Sequence, residues 1–170
     1  MKRLKVVVTG PFNSGKTQYI RTISEIEVVT TERKITSGDL ASVKEETTVA
    51  MDFGKVTRNG DKIYIFGTPG QEQFQIMWEV LTENMLGFIV IVDSTDKERL
   101  SDAKKIIKFF ADILEEPFVV AANKQDLPNA LSVEELKKEL KLPDDTLVVP
   151  LIAKDKKSTE NVLNLLLEKI

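Results

Sequence analysis

Short apolar segments alternate with amphipathic ones along most of the chain. The dipeptide Asn59-Gly60, between two of the early segments, is typical of a two-residue turn in a β-hairpin. Later segments are continuous apolar runs of the kind found in buried parallel strands. Six strands are predicted in this way, at residues 4–9, 49–57, 62–66, 88–92, 118–122 and 147–149. We therefore expect a six-stranded, mostly parallel sheet with one antiparallel edge hairpin.

Between these strands, apolar residues recur at the spacing of amphipathic helices. Ser132 and Glu135 form a capping-box pattern that predicts a helix start, with Leu136 and Leu140 on the inner face. Two further apolar stripes are formed by Leu100, Ala103, Ile106, Ile107, Phe110 and Leu114, and by Val162, Leu163, Leu166, Leu167 and Ile170. This alternation predicts a three-layer α/β domain with helices on both faces of the sheet and ligands at the carboxyl ends of the strands.

Composition narrows the choice of function. The 170 residues, 42% of them hydrophobic, can form one substantial core, so we expect a single domain over residues 1–170. A net charge of −3 offers no basic field for nucleic acid, and the lack of cysteine and histidine excludes thiolate and imidazole chemistry. The longest apolar run, residues 88–92, is far shorter than the roughly 20 residues of a membrane-spanning helix. Because residues 1–3 lead directly into the first strand, we expect a cytoplasmic protein without a direct membrane anchor.

The first strand is followed by Gly10-Pro-Phe-Asn-Ser-Gly-Lys-Thr17, which has the spacing G-x-x-x-x-G-K-[ST]. Such a loop surrounds phosphate oxygens with backbone N–H groups, while its lysine reaches the β- and γ-phosphates and its last hydroxyl binds Mg²⁺. The alternative is a Gly/Pro turn that ends by chance in Lys-Thr, and the buried-type strand in front argues against it. The candidate phosphate-binding residues are Asn13, Ser14, Gly15, Lys16, Thr17 and Gln18.

A second motif, Asn123-Lys-Gln-Asp126, directly follows the strand at residues 118–122. The Asp126 carboxylate can accept hydrogen bonds from guanine N1–H and the exocyclic amino group, and adenine offers neither donor there. Asn123 can tie this loop to the phosphate loop, and the stem of Lys124 can lie over the base. The alternative is a polar turn before Pro128. The position after a strand, on the same sheet edge as the phosphate loop, favours guanine recognition.

The order of these motifs resembles that of the Ras-like small GTPases over the whole chain. It comprises the phosphate loop, a threonine at Thr48 before a strand, Thr68-Pro-Gly-Gln71 after the next strand, and Asn123–Asp126. Residues 92–99 are similar to the Arf-type branch, whereas residues 10–11 and 48–53 are closer to prokaryotic relatives that include the MglA-like polarity GTPases. The resemblance implies a P-loop GTPase fold, Mg²⁺ as cofactor, and GTP and GDP as ligands.

The resemblance also implies roles for further residues of the site. In Ile152-Ala153-Lys154, the Ala153 N–H would face guanine O6, and Lys154 would pack over the base. Isoleucine at 152 replaces a serine of the family, so this base loop is expected to lose a side-chain cap.

Two switch segments are implied as well. Thr48 would ligate Mg²⁺ together with Thr17 and would contact the γ-phosphate; Thr47 is the alternative, and both could simply begin a strand. The polar residues 25–46 are predicted to form a long loop, ordered by the γ-phosphate and Mg²⁺. In the second switch, Gly70 would present its N–H to the γ-phosphate. Gln71 would orient the attacking water, which makes Gln71 and Lys16 the candidate catalytic residues.

Two positions depart from the family pattern. Gly67 replaces the aspartate that holds a Mg²⁺-bound water, a role that Asp52 or Asp93 could take through water. Phe12 lies where Ras proteins have a glycine that lets an arginine finger approach.

Three functions follow from these residues. The first is a GTP-hydrolysing switch, slow without an activating partner, that binds protein effectors in the GTP state. The second is a non-hydrolysing GTP-binding adapter, as the loss of the carboxylate at Gly67 permits. The third is a P-loop small-molecule kinase, against which stand Asp126 and the lack of an arginine-rich lid. Partners are expected at the switches, near Phe74 and Trp78, and resemblance to the prokaryotic relatives suggests a Roadblock-type dimer.

Overall fold

The computed structural model of the protein describes residues 2–37, 45–68 and 82–170. For residues 31–37 and 45–50 it describes the backbone alone. Strands and helices alternate along the chain, as the sequence predicts. In chain order the elements are β1 (Arg3–Thr9), α1 (Lys16–Ile23), β2 (Val29–Ser37), β3 (Glu45–Arg58), β4 (Asp61–Gly67), β5 (Gly87–Asp93), α2 (Leu100–Ile113), β6 (Phe118–Asn123), α3 (Val133–Glu139), β7 (Val148–Pro150) and α4 (Lys156–Leu167). A short 3₁₀ turn, Lys97–Arg99, precedes α2.

The strands form one sheet in the order β2-β3-β4-β1-β5-β6-β7. Strands β4, β1, β5, β6 and β7 are parallel to one another, whereas β3 is antiparallel to both β4 and β2. The prediction of a mostly parallel sheet with an antiparallel hairpin is confirmed. At the hairpin, Asn59 and Gly60 have φ of 51° and 82°, the left-handed conformation that a tight two-residue turn requires.

The predicted number of strands is wrong by one, because the described part of the sheet has seven strands. Residues 25–46 were expected to form a loop, but Val29–Ser37 forms β2, and β3 already begins at Glu45. The edge of the sheet is therefore β2 rather than the β3–β4 hairpin, and Thr48 lies within a strand, opposite Lys34. Strand β2 was not predicted because its central residues are polar. In the described part of the sheet β2 is an edge strand paired with β3, and polar residues are tolerated in such a strand.

Helices cover both faces of the sheet, as predicted. On one face α1 and α4 pack against the sheet, and on the other α2 and α3 do so. All seven residues of β5 are buried between these two layers, which explains its continuous apolar sequence. Helix α4 ends at Leu167, so Ile170 does not extend the apolar stripe and is half exposed. Within the described ranges, no helix has the length and apolar character needed to cross a membrane.

The capping box predicted for α3 is present. The Glu135 N–H donates to Ser132 Oγ at 3.1 Å, and the Ser132 N–H donates to Glu135 Oε1 at 3.3 Å.

The carboxyl ends of β1, β5 and β6 meet at one edge of the sheet. Thr9 lies opposite Val90, and Asp93 lies opposite Asn123. The loops that leave these strands therefore start side by side, which places the phosphate-loop motif and the Asn123–Asp126 motif at the same edge.

Candidate functional site

The loop between β1 and α1 passes through a narrow space that only glycine fits at two positions. Gly10 has φ of 148°, and a Cβ there would lie 2.2 Å from the carbonyl oxygen of Ile91. Gly15 has φ of 109°, and a Cβ there would lie 2.2 Å from Asn123 Nδ2. Among the described residues, no side chain caps the N-terminus of α1. The first N–H groups of the helix can therefore bind an anion.

Lys16 closes this loop by bonding to its backbone. Its Nζ donates to the carbonyl oxygens of Gly10 at 2.7 Å and of Pro11 at 2.8 Å. Burial lowers the pKa of Lys16 to about 8, although the nearby charge of Asp52 acts in the opposite direction. An ammonium group has three donors, so one remains for a phosphate oxygen after both carbonyls are satisfied.

A carboxylate stands beside the hydroxyl that is predicted to bind Mg²⁺. The Thr17 hydroxyl donates to Asp52 Oδ2 at 2.6 Å. Asp52 lies on β3, directly opposite Gly67 on β4. A carboxylate on the adjacent strand therefore lies level with position 67, as required if Asp52 is to take the role of the family's aspartate. The Thr17 hydroxyl donates its hydrogen bond to Asp52, so the lone pairs of its oxygen remain available to bind a cation.

The Asn123 side chain joins three loops. Its Nδ2 donates to the Ser14 carbonyl oxygen at 2.9 Å, which ties β6 to the phosphate loop. Its Oδ1 accepts from the Lys124 N–H at 2.8 Å and from the Ala153 N–H at 3.1 Å. The Ala153 N–H, expected to face guanine O6, is therefore bonded to Asn123 in this structure.

The base loop keeps a side-chain cap despite the isoleucine at position 152. The Ile152 N–H donates to Ser158 Oγ at 2.8 Å, and the Ser158 N–H in turn donates to Asp155 Oδ2 at 3.0 Å. The Thr22 hydroxyl donates to the Ala153 carbonyl oxygen at 2.6 Å. The expected loosening is thus offset by a serine from the first turn of α4, which the sequence reasoning had not considered.

Asp93 holds the lysine of the base motif. Lys124, whose φ is 68°, places its Nζ 2.6 Å from Asp93 Oδ2. The other oxygen, Oδ1, accepts from the N–H and the hydroxyl of Thr95 at 2.9 and 2.7 Å. Burial opposes ionisation of Asp93, but the hydrogen bonds from Lys124 and Thr95 prevail and lower its pKa. Asp93 therefore serves the base side of the site, and Asp52 is the carboxylate beside Thr17.

A cavity of about 340 Å³ lies between the phosphate loop and the base loop. Its volume lies within the range of small-molecule sites. The Gln18 amide at its wall donates to Thr22 Oγ1 at 3.0 Å. Asn13, in the exposed part of the phosphate loop, has φ of 64°. The cavity is lined by Gly15, Gln18, Asn123, Lys124, Asp126, Leu127, Ile152, Ala153 and Lys154, which include most of the residues predicted to hold the base.

At the outer end of the phosphate loop, the Phe12 side chain is 56% exposed. The Arg99 guanidinium lies over its ring, 5.7 Å from the ring centre. The same guanidinium is paired loosely with Asp96 and Asp102, at 3.9 and 3.8 Å. A bulky ring and a cation thus lie together at the outer end of the phosphate loop.

Some predicted residues lie outside this description. Gly70 and Gln71 fall outside the described residues, as do Phe74 and Trp78. Thr48 is described by its backbone alone.

Comparison with known proteins identifies the family. A sequence model of the ADP-ribosylation factor (Arf) family matches residues 1–165. The chain belongs to the Arf family. Its interpretation as a Ras-like small GTPase of Arf type is thereby confirmed, whereas the closer likeness to MglA-like GTPases stays a prediction.

The similar proteins include Arf relatives from animals and yeast. The chain is 31% identical over 135 residues to ADP-ribosylation factor-related protein 1 of Bos taurus, covering 78% of this chain and 64% of that protein. It is 29% identical over 144 residues to ADP-ribosylation factor-like protein 1 of Saccharomyces cerevisiae, covering 83% and 71%. It is 30% identical over 152 residues to human ADP-ribosylation factor-like protein 4C, covering 82% and 69%.

The Arf-family site suits a Mg²⁺ ion in its donor chemistry. Thr17 offers a hydroxyl oxygen, and Asp52 offers a carboxylate that can hold a metal-bound water. The described residues contain no group of three or more acidic side chains that could bind a metal ion by themselves. Mg²⁺ would therefore take its other ligands from phosphate oxygens and water, which is its usual mode of binding in nucleotide sites.

The pKa of Lys16 leads to a test in the nucleotide-free protein. Between about pH 8 and the ordinary lysine value of 10.5, the unfolded chain holds more protons at this residue than the folded protein. The unfolding free energy of the wild type should therefore rise with pH relative to that of Lys16→Met. Urea denaturation of both proteins between about pH 7.5 and 9.5 measures this difference. A constant difference would mean that Lys16 keeps its proton when folded.

Proposed function

We propose that this Arf-family protein binds GTP and GDP with Mg²⁺ and acts as a nucleotide-dependent molecular switch that hydrolyses GTP slowly. One observation carries the proposal: the Asn123 side chain bonds at once to the phosphate loop, through Ser14, and to the base loop, through Ala153. Two motifs that are 109 residues apart in sequence are thereby built into a single site. The cavity between them has the position that a nucleoside would need.

The base side of the site favours guanine. Asp126 lines the cavity and can form the paired hydrogen bonds that guanine alone offers. Asp93 fixes the Lys124 ammonium at 2.6 Å, so the aliphatic stem of Lys124 can cover one face of the base. Lys154, which also lines the cavity, can cover the other. Adenine would leave the Asp126 carboxylate unpaired, which argues against ATP and a kinase.

The phosphate side would bind the β- and γ-phosphates through Lys16 and the first N–H groups of α1. Thr17 would ligate Mg²⁺ through its hydroxyl oxygen while its proton stays on Asp52. Thr48 is proposed as the second protein ligand. When bound, Mg²⁺ neutralises the charge of the β- and γ-phosphate oxygens.

Hydrolysis is proposed to depend on Gln71, which would orient the attacking water, while Gly70 would contact the γ-phosphate. Intrinsic rates in this superfamily are on the order of 10⁻⁴ per second without an activating partner. The second candidate function, a non-hydrolysing adapter, rests on the missing carboxylate at Gly67. The hydrogen bond between Thr17 and Asp52 weakens that candidate, since a carboxylate stands in reach of the metal position from the next strand.

We further propose that effectors and an activator bind at the two switches in the GTP state. A Roadblock-type dimer is the candidate partner, on the resemblance to prokaryotic relatives. We place the protein in the cytoplasm, with residues 1–170 acting as one GTPase domain.

Asp126→Asn tests base recognition. The substitution removes the charged acceptor pair, so GDP affinity should fall by more than about tenfold in a fluorescence titration. Xanthine has a carbonyl oxygen where guanine has its amino group, and the asparagine amide can donate to it. The same variant should therefore gain affinity for xanthosine diphosphate. Asp145→Asn, at an exposed carboxylate before β7, should change neither affinity. Unchanged GDP binding by Asp126→Asn would refute guanine recognition by this residue.

Asp52→Asn tests the displaced carboxylate. In the wild type, Mg²⁺ should slow the release of bound GDP, and the substitution should raise the Mg²⁺ concentration needed by about 10- to 100-fold, since it alters the group that orients a metal ligand. The measurement is GDP release at increasing free Mg²⁺, with Asp112→Asn on the exposed face of α2 as the control. Equal Mg²⁺ dependence in Asp52→Asn and the wild type would remove Asp52 from the metal site.

Gln71→Ala separates the switch from the adapter. Single-turnover phosphate release from protein preloaded with GTP and Mg²⁺ should be slow in the wild type and lost in the variant, because the attacking water is no longer oriented. Gln73→Ala provides the control. Bound GTP that stays intact in the wild type would favour the adapter, or a switch that depends wholly on an activator.

A further inference from the structure

Both oxygens of the Asp52 carboxylate are engaged, and they connect different parts of the molecule. Oδ2 accepts from the Thr17 hydroxyl at 2.6 Å, on the metal side. Oδ1 accepts from the Thr30 hydroxyl at 3.1 Å, on the edge strand β2. Thr30 lies directly opposite Asp52 in the β2–β3 ladder, so both side chains stand on the same face of the sheet. The carboxylate therefore bridges α1 and β2.

The chain leading into β2 is already attached to β3 at another place. Ser24 Oγ accepts from the Lys55 N–H at 3.1 Å, and Glu25 Oε1 accepts from the Thr57 N–H at 3.0 Å. These bonds fix the segment after α1, far from the metal side. Further along, β2 is held by its backbone ladder with β3 on one side only. The Thr30 hydroxyl adds a side-chain bond from this edge strand to the site.

We propose that Thr30 is a positioning residue for Asp52, and that through it the edge strand β2 is coupled to the metal site. The inference rests on the proposed function, because it takes the metal at Thr17 to be Mg²⁺ bound with nucleotide. The two hydrogen bonds of Asp52 require the same orientation of one carboxylate, so each favours the other. Mg²⁺ on the Thr17 oxygen makes its proton a stronger donor to Oδ2, which holds Oδ1 in place for Thr30.

Coupling of this kind works in both directions. Loss of the metal would weaken the Thr17 hydrogen bond that orients Asp52, and the bond to β2 would weaken with it. Conversely, removal of the Thr30 hydroxyl frees Asp52 to turn away from Thr17, which weakens Mg²⁺ binding. The Asp52 carboxylate thus orients the metal site, and the strength of its hydrogen bond to Thr30 depends on whether the metal is bound.

Thr30→Val and Thr30→Ser form a matched pair for the test. Valine keeps the branched shape and the strand preference of threonine but lacks the hydroxyl, so the fold should be retained. Serine keeps the hydroxyl and should behave as the wild type. Each protein would be loaded with GDP, and two readouts taken with and without Mg²⁺: the rate of GDP release, and hydrogen–deuterium exchange of the β2 amides.

In the wild type and Thr30→Ser, Mg²⁺ should slow exchange in β2. In Thr30→Val this Mg²⁺-dependent protection should disappear, and the Mg²⁺ concentration that retains GDP should rise about three- to tenfold, as expected for one lost hydrogen bond. Equal Mg²⁺ effects in Thr30→Val and the wild type would overturn the coupling, with the proposed function intact. A loss of β2 protection that is the same with and without Mg²⁺ would also overturn the coupling, since Thr30 would then only stabilise the strand. A wild type that binds no GDP would overturn the proposed function and the coupling together.

Discussion

The side-chain amide of Asn123 is the contact on which the rest of the site depends. It is buried at the end of β6, and it satisfies backbone groups from the phosphate loop and the base loop with its two ends. The nearness of Asn123 Nδ2 to Gly15 also explains why the residue before α1 has no side chain. A shorter or apolar residue at 123 would leave buried backbone groups without partners, and neither loop has another described side chain that spans the gap. The phosphate and base motifs are therefore one structural unit, although they are separate in the sequence.

The electrostatic groups of the site are distributed among neighbouring strands. The acidic group beside Thr17 comes from β3, opposite Gly67, and the acidic group beside Lys124 comes from the end of β5. Each carboxylate accepts hydrogen bonds through both of its oxygens, so its orientation is set before any ligand arrives. Such preorganisation reduces the reorganisation that binding would otherwise require. On the proposed function, the departure from the family motif at Gly67 is offset by a carboxylate at the same level of the adjacent strand.

Local chemistry allowed much of the fold to be predicted from the sequence. The Asn59-Gly60 turn, the Ser132–Glu135 capping box and the apolar run of β5 each have a sequence signature that works within a few residues. Strand β2 lacked one, because an edge strand with solvent on one side can carry a polar run that resembles a loop.

Contacts between distant residues could not be predicted in the same way. The sequence alone left the choice between Asp52 and Asp93 open, and the register of β3 with β4 favours Asp52 because it places this residue opposite Gly67. The Ser158 hydroxyl, at the start of α4, caps the base loop. The sequence of the loop itself does not indicate this contact. The base loop therefore keeps a cap that a motif comparison would count as lost.

The contact between Arg99 and Phe12 has a consequence for which regulatory proteins could approach the phosphate loop. The aromatic ring and the guanidinium lie together at the outer end of the phosphate loop. A foreign protein that inserts its own arginine past this point would meet a steric barrier. The pair would therefore insulate the protein from the regulators of other GTPases, and its own regulator would have to approach from a different direction.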